Sequence, residues 1–391
     1  MMSMPELPKE LAFSTEEYRE RCRRLRSLME KAGLDVMLVH QPPSVFYFSG
    51  YENLHVYDNE CVVVPLEGEI SLLVDEADAS RGCLTSWLDR VFSFPPQGEA
   101  GHALATILTE QRLERARIGV EKRVPRAACL SVQTYESLRE ALPNARFLDA
   151  SRLPERVKST KSPKEIEFHR IAATFTDAGM RAALEAAKEG RTDNDVAAAA
   201  YHAMMTAGSE FLSIPAIVNC GRASGISHST HKGQRLKKGD VLFLELGGCC
   251  KRYTSPCMRS ASIGPPTDEA KRLAEGCLAA LEHMHAVMRP GVKFDDVARA
   301  GAEGVALAGT GVDWNGDYGY SVGAGFPPHW GDYTCQIRTG NQMLLQEGMV
   351  FHQPIALRLR GTVGVAFSET MLITANGCEA LTSVERRLVL R

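Results

Sequence analysis

One tetrapeptide divides this chain. Ser162-Pro163-Lys164-Glu165 carries the three marks of a helix start: a serine able to cap, a proline suited to the first helical position, and a glutamate placed to bond back to the cap. Apolar residues behind it, Ile166, Ile171, Phe175, Met180 and Leu184, keep helical spacing to about Gly190. Before this point short helices and strands alternate. After it, helices come in pairs and strands gather towards the end.

In the first half, Ser14-Thr15-Glu16-Glu17 opens a helix by the same capping logic, which runs through Leu25, Leu28 and Met29 and stops near Gly33. Strand-like apolar runs follow at Asp35–Val39, Val45–Phe48, Cys61–Val64, Ile70–Val74 and Ile118–Val120, with helical stretches around 103–113 and 131–141. This alternation predicts an α/β unit over residues 1–155. In the second half the pattern predicts a helix over 193–208, strands near 214–219, 241–246 and 258–263, helices near 267–288 and 294–308, and strands near 349–358 and 363–374. Paired helices on an antiparallel sheet make residues 156–391 an α+β unit.

Composition narrows the function. The 45 basic and 48 acidic residues leave a net charge of −3 with no block of like charges, so the electrostatic footprint of a nucleic-acid or anionic-membrane binder is missing. No run of 18 apolar residues occurs, and the N-terminus lacks an apolar signal core. The 11 cysteines are odd in number and include no C-x-x-C pair, which reads as free thiols in a reducing compartment. A cytoplasmic protein acting on a small molecule is expected, with no nucleic-acid or membrane partner.

Four local patterns carry the chemistry. His228 stands twelve residues before Asp240 of Gly239-Asp240, and Glu245 eleven before Pro256 in Tyr253-Thr254-Ser255-Pro256-Cys257-Met258-Arg259. Then come Gly319-Tyr320-Ser321-Val322-Gly323, and Gly348-Met349-Val350-Phe351 leading to Ser368-Glu369-Thr370-Met371-Leu372-Ile373-Thr374. In this order they resemble the creatinase/prolidase, or pita-bread, superfamily. The resemblance implies an α/β creatinase-like N-terminal domain followed by an α+β pita-bread catalytic domain.

The departures from that family are as informative. Its metallopeptidases hold two metal ions with two aspartates, a histidine and two glutamates, and the resemblance places these on Glu245, Pro256, Tyr320, Pro354 (or Gln353 with a one-residue gap) and Ser368. Only Glu245 keeps a carboxylate, so no metal and no cofactor are expected. Within the superfamily the chain is similar to the metal-independent, ectoine hydrolase-like members. That likeness rests on Phe243–Tyr253, on Pro256 and Arg259, and on Gly319–Gly323 running into Phe326-Pro327-Pro328-His329-Trp330-Gly331.

The resemblance puts His228 on the catalytic histidine of creatinase, where a neutral imidazole can take and return a proton. Glu245 reads as a repurposed carboxylate: a partner for a planar amidinium or guanidinium, a nucleophile at its carbon, or a base for the attacking water. A structural Glu245 bonded to Arg252 or Arg259 is the bland alternative. Tyr320 completes the expected catalytic set as a hydroxyl donor. Substrate contacts are expected from Arg259, facing a carboxylate, and from Glu369, Gln353 and His329; His231 and His352 read as pocket wall or surface. Ala366 stands where a polar or charged residue is expected. The resemblance also implies a homodimer in which the N-terminal domain of one subunit closes the other's site, through the aromatic and polar run Tyr51–Tyr57, with Tyr57 as the contact residue. The activity expected is hydrolysis of a C–N bond in a small zwitterion, ectoine being the best match. An Xaa-Pro metallopeptidase and a silent pita-bread binding protein are the alternatives.

Overall fold

A computed structural model describes residues 8–54, 59–95, 100–122 and 130–391, and the chain divides into two compact units, residues 1–158 and 159–391. In chain order the first unit contains α1 (Thr15–Ala32), β1 (Val36–Val39), α2 (Pro42–Ser49), β2 (Cys61–Pro65), β3 (Ser71–Asp75), α3 (Ala79–Thr85), β4 (Val91–Phe94), α4 (Ala100–Glu110), β5 (Arg117–Val120), α5 (Val132–Ala141), β6 (Arg146–Asp149) and α6 (Arg152–Lys158). The sheet runs β4-β3-β2-β1-β5-β6, with β2 antiparallel to both neighbours and the other pairs parallel. Met37, Val39, Val62 and Val64 bury one face with Leu25 and Met29, while Val36, Leu38, Val63 and Ile118 bury the other with Leu104 and Leu108. A sheet covered on both faces explains why its strands read as continuous apolar runs.

One expectation needs correction here. Val45–Phe48, read as a strand, lies inside α2. The helix starts on Pro42, and the buried carboxylate of Glu121, beyond β5, accepts from the N–H groups of His40 (2.9 Å) and Gln41 (3.0 Å) and from Ser44 Oγ (3.1 Å). Glu121 thus fixes the residues that enter α2 and reaches Ser44 in its first turn, with Pro42 at the first helical position, and the run folds as a helix against its local strand preference. The two units part between Lys158 and Ser159, and α6 belongs with α1: Arg24 Nη2 donates to Val157 O at 3.0 Å.

The second unit contains α7 (Pro163–Ala186), α8 (Asp193–Thr206), β7 (Ile217–Cys220), β8 (Val241–Cys250), β9 (Tyr253–Ser262), α9 (Asp268–Val287), α10 (Phe294–Ala306), β10 (Gly319–Phe326), β11 (His329–Ile337), β12 (Val350–His352), β13 (Ile355–Leu359), β14 (Val363–Phe367), β15 (Thr370–Thr374), β16 (Gly377–Ala380) and β17 (Val389–Leu390). The capping box of α7 forms in full, Ser162 and Glu165 each bonding the other's backbone N–H. The main sheet follows the order β16-β15-β12-β10-β9-β8-β7, and β13 and β14 form a separate hairpin. β8 and β9 pair without a break, joined by Lys251 and Arg252 at φ 46° and 67°, the backbone of a two-residue hairpin turn. Alternation along these strands places the site. Leu242, Leu244 and Leu246 bury one face with Met180 and Ala197 of α7 and α8, which leaves Phe243, Glu245 and Gly247 on the other.

Candidate active site

Glu245 lies in the middle of β8, opposite Ile217 of β7 and Met258 of β9. Phe243, Met258, Ala356, Ala366 and Ile217 form the apolar cluster on this face. Among the described residues the Glu245 carboxylate has no ion-pair partner, and the guanidinium groups of Arg252 and Arg259 are bound elsewhere. Burial pushes the Glu245 pKa up to about 8, against the pull of the positive charge on Arg358. An acid so placed can hold or release a proton near neutral pH.

Tyr320 belongs to a buried hydrogen-bonded chain. Trp330 Nε1 donates to its hydroxyl at 2.8 Å, His352 Nδ1 lies 2.9 Å from the same oxygen, and His352 Nε2 lies 2.7 Å from Ser368 Oγ. Ser368 Oγ accepts in turn from the Met258 N–H at 2.6 Å, on the residue paired with Glu245. Gly247, two residues beyond Glu245, makes room for the indole: a Cβ there would meet Trp330 Cε3 at 3.0 Å. Burial pushes the His352 pKa down to about 3, so the imidazole is neutral, with one N–H and one lone pair for its two oxygen neighbours. His352, expected at the pocket wall or the surface, is thus fully buried between Tyr320 and Ser368. The alternation of β12, with Phe351 packed against Phe294 of α10, was the available signal that the next side chain turns the other way.

His228 is exposed, in the loop between β7 and β8, with φ 55°. Asn219 of β7 ties this loop down, its Nδ2 donating to Ser229 O at 2.7 Å.

Other expected contact residues have different surroundings. Arg259 is fully buried, and its guanidinium is committed to the protein. Nε donates to Val384 O and Glu385 O (both 3.1 Å), Nη1 to Met258 O (2.8 Å) and Ser368 O (2.7 Å), and Nη2 to Val384 O and to Glu369 Oε1 (2.7 Å). Glu369 is equally engaged, with Arg259, Thr382 and Arg386. This pair anchors the C-terminal segment, leaving no guanidinium N–H of Arg259 for a substrate. Gln353 turns towards α9, its Oε1 2.9 Å from His285 Nε2 and its Nε2 3.0 Å from Met288 Sδ. His329 is half-buried at the start of β11. Of the expected loop, Tyr51 and Asn53 are buried and bonded to Glu60, while Tyr57 lies outside the described residues.

The residues present do not fit a pair of divalent cations. The five positions hold Glu245, Pro256, Tyr320, Gln353 or Pro354, and Ser368, and among the described residues no three His, Cys, Asp or Glu side chains gather as a metal site. Such ions need several hard oxygen or imidazole donors, and here Tyr320 and Ser368 are already bonded to His352.

This two-domain architecture, with its site on the strands of the second unit, is that of a hydrolase family. The Creatinase/Prolidase N-terminal domain matches residues 21–159 and Metallopeptidase family M24 matches residues 167–375. The chain belongs to the M24 family in its creatinase/prolidase form. It is 29% identical over 394 residues to an uncharacterized hydrolase/peptidase of Sinorhizobium fredii, covering 97% of this chain and 99% of the relative. It is also 29% identical over 401 residues to the ectoine hydrolase of Halomonas elongata, covering 97% and 99%. The prolidase from Pyrococcus horikoshii OT3 shares the fold, with a TM-score of 0.81 at 23% identity over 95% of this chain and 100% of that one. Among the described residues no helix is long and apolar enough to cross a membrane.

Proposed function

We propose that this chain is a metal-independent hydrolase that opens a C–N bond in a small zwitterion bearing an amidine, guanidine or amide beside a carboxylate, and that ectoine, a cyclic amidine acid, is its substrate. The observation that carries this reading is the single buried carboxylate of Glu245 in a site whose other family ligand positions hold Pro256, Tyr320 and Ser368. The similarity to ectoine hydrolase supports the same reading.

An amidinium spreads its charge over a planar N–C–N unit, and a carboxylate meets one of its N–H groups with a charge-assisted hydrogen bond. With its pKa raised to about 8, Glu245 is a base matched to neutral pH, and it takes a proton from water as the oxygen adds to the amidine carbon. The bond to the leaving nitrogen then breaks. The carbon keeps the water oxygen as an amide carbonyl, and the two water protons end on the released amine, one of them handed over by His228. The left-handed backbone of His228 supports a functional reading, since a non-glycine residue held there is disfavoured. Tyr320, braced by Trp330 and His352, supplies a positioned hydroxyl. The working enzyme is a cytoplasmic homodimer in this reading, the N-terminal unit of one subunit closing the other's site.

The test is direct. Full-length protein dialysed against a strong chelator is given ectoine, and the product is identified by NMR. Retained activity with a ring-opened amide product is expected. Activity lost on dialysis and restored by manganese or cobalt overturns metal independence and favours an Xaa-Pro dipeptidase, the activity named for relatives such as that of Pyrococcus horikoshii.

A further inference from the structure

The Glu245 face carries two buried polar atoms that the protein leaves unsatisfied. Asn219 pairs with Phe243 across β7 and β8, which puts its side chain on the same face as Glu245, two residues along. It is 2% exposed, its Nδ2 is bound to Ser229 O, and its Oδ1 has no hydrogen-bond partner. Arg358 lies on β13, on the same side as Ala356 of the apolar cluster, with its guanidinium carbon 5.1 Å from the centre of the Phe243 ring. Nη1 donates to Ala356 O at 3.2 Å, while the buried Nε has no partner. A buried donor or acceptor left unbonded has lost its hydration with nothing in return. What sets these two apart from other unsatisfied atoms is that both lie on the apolar wall that carries the Glu245 carboxylate.

The charges agree. Arg358 and Glu245 each feel the other's field, yet they do not form an ion pair. A ligand able to satisfy both carries a cation at one end and an anion at the other. Arg259 has no N–H left for that anion. Ala366, where a charged residue was expected, faces Ala356 across the β13–β14 hairpin, so Arg358 brings a guanidinium to the same cluster from the neighbouring strand.

We propose that Arg358 and Asn219 are the specificity residues of this site: Arg358 binds the substrate carboxylate, and Asn219 Oδ1 accepts an N–H from the cationic end held on Glu245. This rests on reading the site as one for a zwitterion. The experiment measures binding by calorimetry to wild type, R358Q, R358K and N219A, using ectoine and 4-guanidinobutyrate, each beside its own carboxamide. Wild type is expected to bind one of the acids at least tenfold more tightly than its carboxamide. R358Q should lose that preference, R358K should keep part of it, and N219A should bind both members of the pair more weakly while keeping their ratio. A preference that survives in R358Q overturns the assignment, as does a wild type that binds acid and amide alike or binds neither acid. Should R358Q misfold, R358K decides: an unchanged ratio and affinity there overturns the fork-to-carboxylate contact. If wild type shows the preference and R358Q loses it, yet ectoine is not turned over, the proposed reaction falls and the Arg358 assignment stands.

Discussion

The phenol oxygen of Tyr320 lies 2.9 Å from Nδ1 of His352, and the same imidazole reaches Ser368 Oγ through its other nitrogen at 2.7 Å. A neutral ring must donate to one of these oxygens and accept from the other, so the orientation of the Tyr320 hydroxyl is coupled to that of Ser368. His352→Phe fills the space and cuts both bonds. Loss of partners for two buried hydroxyls should lower stability by about 1–3 kcal/mol. The kcat on ectoine should fall at least tenfold with a smaller change in KM. Steady-state kinetics beside urea unfolding checks both, and an unchanged kcat would remove the role of His352 in positioning Tyr320.

Glu245 makes stability depend on pH in a defined direction. Its pKa is raised from 4.5 to about 8 in the folded chain, so between those values the folded state holds a proton that the unfolded state has lost. Its stabilising contribution is therefore fully present below pH 4.5 and is lost as pH rises through about 8, at about 1.4 kcal/mol per pH unit. Glu245→Gln cannot titrate. The difference in unfolding free energy, variant minus wild type, should rise with pH across this window and level off above it. A flat difference contradicts the raised pKa. Turnover should be lost in the same variant.

Arg259 and Glu369 form an ion pair shut away from solvent, at 2.7 Å, and removing one partner leaves the other charged and buried. Arg259→Met should cost about 3–5 kcal/mol in stability. The folded fraction, measured at low temperature, should keep the KM of wild type, because the guanidinium is spent on Ser368 O, Val384 O and Glu385 O rather than on substrate. A KM raised tenfold without loss of stability would return Arg259 to the substrate site.

What could be read in advance depended on how local its cause is. The helix starts at Ser14 and Ser162 were legible because a cap and the residue three positions on carry the whole signal. Val45–Phe48 folds as a helix rather than a strand in a setting its own residues do not show, since Glu121, from far along the chain, holds His40 and Gln41 at the entry to α2. The place of Glu245 on one sheet face with Gly247, opposite Pro256, follows from local strand alternation and the unbroken β8–β9 ladder. The surroundings of Arg259 were not, since they come from Val384 and Glu385 at the far end of the sequence. Asn219 and Arg358 had no local mark at all. What marks them is an unmet hydrogen bond on the face that carries Glu245, and no periodicity encodes that.

His228 offers the sharpest separation of activity from folding. Its φ of 55° is a conformation that costs a residue with a Cβ about 1–2 kcal/mol, and the side chain is exposed, so no buried contact repays the strain. His228→Ala keeps the strain and removes the imidazole; His228→Gly removes both. The alanine variant should fold with near wild-type stability and show no turnover. The glycine variant should be equally inactive but more stable than the alanine variant by about 1 kcal/mol, the strain relieved less the extra freedom glycine gives the unfolded chain. Thermal unfolding of the two variants side by side, with an ectoine assay on each, reads out both effects. Near-normal turnover in either variant would remove His228 as the proton carrier, whereas inactivity with a higher melting temperature for glycine means that the backbone there is held against its preference for the sake of the ring.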